Sequence, residues 1–102
     1  MDEFFRVAKA SDIGAGMAKG FVVNGENVMV AKVGGKYYAV EDRCTHAGAR
    51  LSRGILAGSI ITCMAHGAQF DVANGSPLTT LAKSPLKTYE VRLSGEDIEI
   101  KI

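Results

Sequence analysis

The chain has 102 residues, room for one compact domain with a modest core, and its 47% hydrophobic content is that of an ordinary globular protein. Twelve basic against eleven acidic residues leave a formal net charge of +1, which excludes the whole-chain basic field of a nucleic-acid binder. No apolar run approaches the roughly 20 residues needed to span a bilayer, and the opening residues lack signal-peptide organisation, so a cytoplasmic chain with no membrane association is expected.

Short segments rich in β-branched and aromatic residues recur along the chain, bounded by Gly, Asn, Asp and Ser. In order they predict strands over residues 4–8, 21–23, 27–33, 36–41, 59–62, 68–72, 87–93 and 97–102. Between the first two, residues 10–18 offer a short helical turn, limited by Gly14 and Gly16. Asn24-Gly25, Gly34-Gly35 and Ser94-Gly95-Glu96-Asp97 are hairpin turn sequences between neighbouring strands. In the last strand Ile98, Ile100 and Ile102 alternate with Glu99 and Lys101, which assigns the isoleucines to the core and the charged pair to water. The expectation is a single all-β, mainly antiparallel domain over residues 1–102. Two stretches, 42–58 and 63–67, fit neither strand nor tight turn, and long irregular loops in a compact domain are usually functional.

Those two loops hold every cysteine and histidine of the protein. The pattern is Cys44-Thr45-His46, then sixteen residues, then Cys63-Met64-Ala65-His66. Two cysteines allow one disulfide, but in a reducing compartment cysteines interleaved with histidines more often hold metal. Buried structural cysteines with satisfied histidines would make this pairing a coincidence. A zinc-stabilised binding module uses the same donors, although zinc motifs usually pair like ligands at C-x(2–4)-C and H-x(3–5)-H. One residue between Cys44 and His46 is also tight for two ligands of one small ion, whereas a two-iron centre lets neighbouring ligands diverge to different metals.

The motifs C-T-H-A-G at residues 44–48 and C-M-A-H-G at residues 63–67 resemble the two cluster loops of Rieske proteins. The resemblance covers essentially the whole chain and implies stacked antiparallel sheets carrying a [2Fe-2S] cluster. It implies that Cys44 and Cys63 hold a buried iron and that His46 and His66 hold an outer iron near the surface, through which electrons pass. Replacing two thiolates by neutral imidazoles removes negative charge and raises the potential above that of all-cysteine ferredoxins. Gly48 and Gly67 follow the histidines, where a side chain would crowd the cluster or block a left-handed turn. Backbone N–H groups of the loops are the expected donors to sulfur. Pro77 or Pro85 would stiffen a third, covering loop over residues 76–86. Arg43, Arg50 and Arg53 flank the first loop behind Glu41 and Asp42. They read either as solvated loop charge or as a docking rim for acidic partner surfaces.

Departures from the family pattern narrow the choice. Respiratory and photosynthetic Rieske proteins carry an inter-loop disulfide and a membrane anchor, but the corresponding loop positions here are Ala49 and Ala65. Met64 follows the second cysteine, where proline is frequent in the family. High-potential relatives typically place Ser and Tyr, both sulfur-directed donors, at the positions of Ala68 and Phe70, so a low potential is expected. The resemblance thus implies a monomeric one-electron carrier, not an enzyme by itself, passing electrons from a flavin reductase to a terminal oxidoreductase such as a Rieske non-haem iron oxygenase. A small subunit of a stable complex, such as assimilatory nitrite reductase, is the alternative. No G-x-G-x-x-G nucleotide motif is present, and both histidines are already used.

Overall fold

A computed structural model describes residues 3–44, 49–65, 67–79 and 84–102. Nine strands are described: β1 (Phe4–Lys9), β2 (Ala18–Val23), β3 (Glu26–Val33), β4 (Lys36–Glu41), β5 (Ile55–Ala57), β6 (Ile60–Thr62), β7 (Gln69–Asp71), β8 (Thr88–Ser94) and β9 (Asp97–Lys101), with 3-10 turns at Ala10–Asp12 and Leu51–Arg53. They form a six-stranded sheet in the order β1-β9-β8-β4-β3-β2 and a three-stranded sheet in the order β5-β6-β7. Every strand pairing is antiparallel.

The turn dipeptides set the registers. Val23 pairs with Glu26 across Asn24 and Gly25, at φ of 49° and 80°, and Val33 pairs with Lys36 across Gly34 and Gly35, at 57° and 81°. Two consecutive positive φ angles are what a two-residue type I′ turn requires, and its twist matches that of the flanking strands.

The four-residue apolar run Val28-Met29-Val30-Ala31 is wholly buried, because β3 is covered on both faces. Val28 and Val30 join Ile13, Val23, Ala39, Tyr89, Ile98 and Ile100 in one core. Met29 and Ala31 join Val40, Leu51, Ile61, Phe70, Val72, Leu86, Cys44 and Cys63 in the other. The period-2 geometry of a strand sends neighbouring residues to opposite faces, so one strand serves both cores. Scaffold packing and loop packing are therefore separate clusters back to back.

Several sequence expectations change in detail. The helical turn is confined to Ala10–Asp12, and β2 begins at Ala18 rather than residue 21, because β3 supplies its ladder down to Ala18↔Ala31. The 42–58 stretch contains both the Leu51–Arg53 turn and β5, which exists through pairing with β6 at Ile55↔Thr62, Leu56↔Ile61 and Ala57↔Ile60. Ile98 and Ile100 are fully buried as expected. Ile102, Glu99 and Lys101 are half-buried, and Glu99 takes a 2.7 Å ion pair from Arg92.

Candidate metal centre

Cys44 and Cys63 are each fully buried, lie in the same apolar cluster and form no disulfide. Their loops close in the same way. The Cys44 N–H donates to the Ala49 carbonyl at 2.7 Å, and the Cys63 N–H donates to the Ala68 carbonyl at 2.7 Å. Each cysteine thus begins a loop closed five residues later, with a glycine, Gly48 or Gly67, just before the accepting alanine. His46 and His66, like Gly48, lie outside the described residues. By sequence each falls inside one of these closed loops.

Gly67 takes φ of 76° and its N–H donates to the Cys63 carbonyl at 2.9 Å, the left-handed turn for which glycine was expected there. Behind the second loop, Thr62 pairs with Gln69 across β6 and β7, so this loop is the tip of a hairpin. Ala68 and Phe70, immediately beyond it, are fully buried in the cluster that contains both cysteines. Pro77 bridges Phe70, and the Leu78 N–H donates to the Gln69 carbonyl at 2.8 Å, which seats the start of the covering segment against β7.

The first loop is held differently. Its entry at the end of β4 is fixed by the Lys87 N–H donating to Glu41 Oε1 at 2.8 Å and the Glu41 N–H donating to the Lys87 carbonyl at 2.9 Å. Nearby, the Tyr89 hydroxyl donates to Glu26 Oε1 at 2.8 Å, and Lys87 Nζ pairs with the same oxygen at 3.2 Å. Burial, then the Glu26 carboxylate, pushes the Tyr89 phenol well above its ordinary range. The hydrogen bonds from Tyr89 and Lys87 hold Glu26 below the usual carboxylate value.

Asp42, just before the first loop, is not a solvated charge. Only 2% exposed, its carboxylate accepts from the Ser52 N–H at 2.7 Å and from the Ser52 hydroxyl at 2.6 Å. Sequence offered only a weak signal for this, an acidic residue two before a cysteine with a serine beyond the loop. Arg43, Arg50 and Arg53 are exposed, as are Met64 and Leu78, at 62% and 48%. The surroundings of the loops thus combine positive charge with apolar side chains.

The profile of the Rieske [2Fe-2S] domain matches residues 3–90. The chain belongs to the Rieske [2Fe-2S] family. It is 37% identical over 91 residues, 89% of this chain and 88% of the relative, to the ferredoxin component of naphthalene 1,2-dioxygenase/salicylate 5-hydroxylase systems of a Ralstonia species. Among solved structures, the ferredoxin of carbazole 1,9a-dioxygenase from Nocardioides aromaticivorans superposes with a TM-score of 0.91 at 33% identity, covering 95% of each chain. A chain from a complex of reduced oxygenase and oxidised ferredoxin in carbazole 1,9a-dioxygenase gives 0.89 at 35% identity, covering 95% of this chain and 91% of that one. The cofactor of this Rieske ferredoxin is a Rieske-type [2Fe-2S] cluster, and its function is electron transport. The likeness favours the carrier over both the small-subunit and the zinc-module alternatives. Among the described residues no helix is long and apolar enough to cross a membrane.

Proposed function

We propose that Cys44, His46, Cys63 and His66 are the cluster ligands of this ferredoxin, which carries single electrons from a flavin reductase to the terminal oxygenase of an aromatic-ring oxygenase system. The observation that carries this reading is the pair of identically closed loops, each beginning at a buried cysteine of one apolar core and each containing one of the two histidines of the chain. Two thiols and two imidazoles match the donor set of a Rieske centre, and the protein has no other cysteine or histidine to replace one. When bound, the cluster accepts and releases one electron, neutral when oxidised and singly negative when reduced.

The chain's own residues provide three things. The apolar cluster of Leu51, Ile61, Ala68, Phe70 and Leu86 around Cys44 and Cys63 keeps water from the thiolates. The two Cys-to-alanine backbone bonds fix the direction from which each sulfur is presented. Exposed Arg43, Arg50 and Arg53 supply a positive rim that steers an acidic partner surface toward the loops, and Met64 and Leu78 supply apolar contact on arrival. A monomeric, single-domain, cytoplasmic carrier is consistent with this reading.

The test is the EPR spectrum of the dithionite-reduced protein with metal and sulfide analysis, compared between wild type and Cys63→Ala. The wild type is expected to show a reduced Rieske signal that the variant loses. Full iron, full sulfide and an unchanged signal in Cys63→Ala would reject the ligand assignment.

A further inference from the structure

Asp42 is the one charged side chain buried among the described residues. Its surroundings are built to receive it. Its N–H donates to the Asn27 carbonyl of β3 at 3.0 Å, and Ser52 donates to both carboxylate oxygens. Gly20 of β2 lies against the pair: a Cβ there would collide with Asp42 Oδ2 and sit 2.7 Å from Ser52 Oγ. The absence of a side chain at Gly20 is what admits the carboxylate and hydroxyl. Among the described residues no basic side chain forms an ion pair with Asp42, and Ser52 donates both of the side-chain hydrogen bonds seen there.

The two cluster loops show what this contact does. The second loop needs no brace, because Thr62 and Gln69 on either side of it are ladder partners. The first loop leaves β4 of one sheet and ends in the Leu51–Arg53 turn before β5 of the other, so no strand pairing joins its two ends. Asp42 and Ser52 are those ends. Their two hydrogen bonds form an outer closure around the inner Cys44-to-Ala49 bond, as the Thr62–Gln69 ladder pair does, closer in, around the Cys63-to-Ala68 bond of the second loop.

We propose that Asp42 is a positioning residue of the metal centre, its carboxylate replacing strand pairing between the ends of the first loop and thereby holding Cys44 in ligating geometry. This rests on the assignment of Cys44 as a ligand.

The test uses the holoprotein and four variants, read by the rate of iron release to a chelator and the EPR g values. Ser52→Ala keeps the backbone donor but loses the hydroxyl, and Asp42→Ala loses both bonds. About tenfold faster iron release is expected in each, with altered g values, the usual scale when a residue supporting a metal ligand is removed. Asp42→Asn keeps the shape and an acceptor for the Ser52 N–H without the charge. It is expected to keep iron release near the wild-type rate. Wild-type release rates and g values in Ser52→Ala would overturn the proposal, even if the melting temperature fell, and Ser52→Ala decides the matter should Asp42→Ala fail to fold. Cys44→Ser separates the two readings. If it keeps the parent spectrum, the ligand assignment fails; if it loses the spectrum while the Asp42 and Ser52 variants remain wild type, only the positioning role fails.

Discussion

Ala68 and Phe70 set the expected reduction potential of the protein. Both are 0% exposed in the apolar cluster that holds Cys44 and Cys63, and neither the Ala68 methyl nor the Phe70 ring can donate a hydrogen bond to sulfur. Ala68→Ser and Phe70→Tyr each bring one hydroxyl into that cluster. A hydrogen bond to a charged acceptor is worth about 1.5–3 kcal/mol net. The potential responds only to the part that favours the singly negative reduced form over the neutral oxidised one, taken as about 1 kcal/mol on that scale. At about 59 mV per tenfold change for one electron, or about 1.36 kcal/mol, each hydroxyl should raise the potential by about 40 mV and the pair by about 80 mV. The wild type should lie toward the low end of the roughly −150 to +300 mV Rieske window, as suits the flavin-reductase donor proposed above. Protein-film voltammetry near neutral pH measures all four proteins, with EPR verifying an intact cluster in each. A wild-type potential near the top of the window, or intact variants at the wild-type potential, would refute the reasoning.

Other expectations follow from single contacts. Charge reversal at Arg50 or Arg53 should slow electron transfer to the partner at low ionic strength, leave the potential nearly unchanged and lose its effect in high salt; stopped-flow kinetics that do not change in either variant would return these arginines to solvated loop charge. Gly54→Ala places a methyl group against the Thr62 carbonyl, next to Cys63, and 3.1 Å from the Leu51 carbonyl. Overpacking against backbone should cost about 1–3 kcal/mol, seen as a melting temperature lower by roughly 5–15 °C, and an unchanged melt would disprove it. The raised Tyr89 phenol is expected to stay protonated above the ordinary phenol range, so its stabilising bond to Glu26 is present through neutral pH and lost only as pH climbs through the folded-state value. The ultraviolet difference titration between wild type and Tyr89→Phe should show this late ionisation; a difference that titrates at the ordinary phenol value would contradict it.

What was legible in the sequence was what local chemistry dictates. Asn24-Gly25 and Gly34-Gly35 can hardly be anything but two-residue hairpin turns, and the alternation Ile98, Glu99, Ile100 has one sensible folding. The pairing of one cysteine with one histidine in each loop pointed to a metal-binding protein, and the match to the Rieske [2Fe-2S] domain agrees with that class of cofactor. What stayed hidden depends on partners distant in the chain. Ile55-Leu56-Ala57 is too short to read as a strand and becomes one because β6 lies beside it. Residues 18–20 look like loop beside Gly14, Gly16 and Gly20 until β3 supplies their ladder. Asp42 looks like any charge beside an arginine, since its burial is produced by Ser52 ten residues later and by the open space at Gly20.

The sharing of β3 between two cores has a consequence for assembly. β2, β3 and β4 form a meander whose registers are set by two-residue turns, so its contacts are local and inexpensive in loop-closure entropy. Once formed, it presents Met29 and Ala31 as a ready apolar floor on the side where Cys44 and Cys63 later settle. The expected order of maturation is a meander organised early and a loop-bearing layer that gains its stability with iron and sulfide. Amide protons of β3 should exchange slowly in apo- and holoprotein alike, whereas those of β6 and β7 should gain most of their protection only with the cluster.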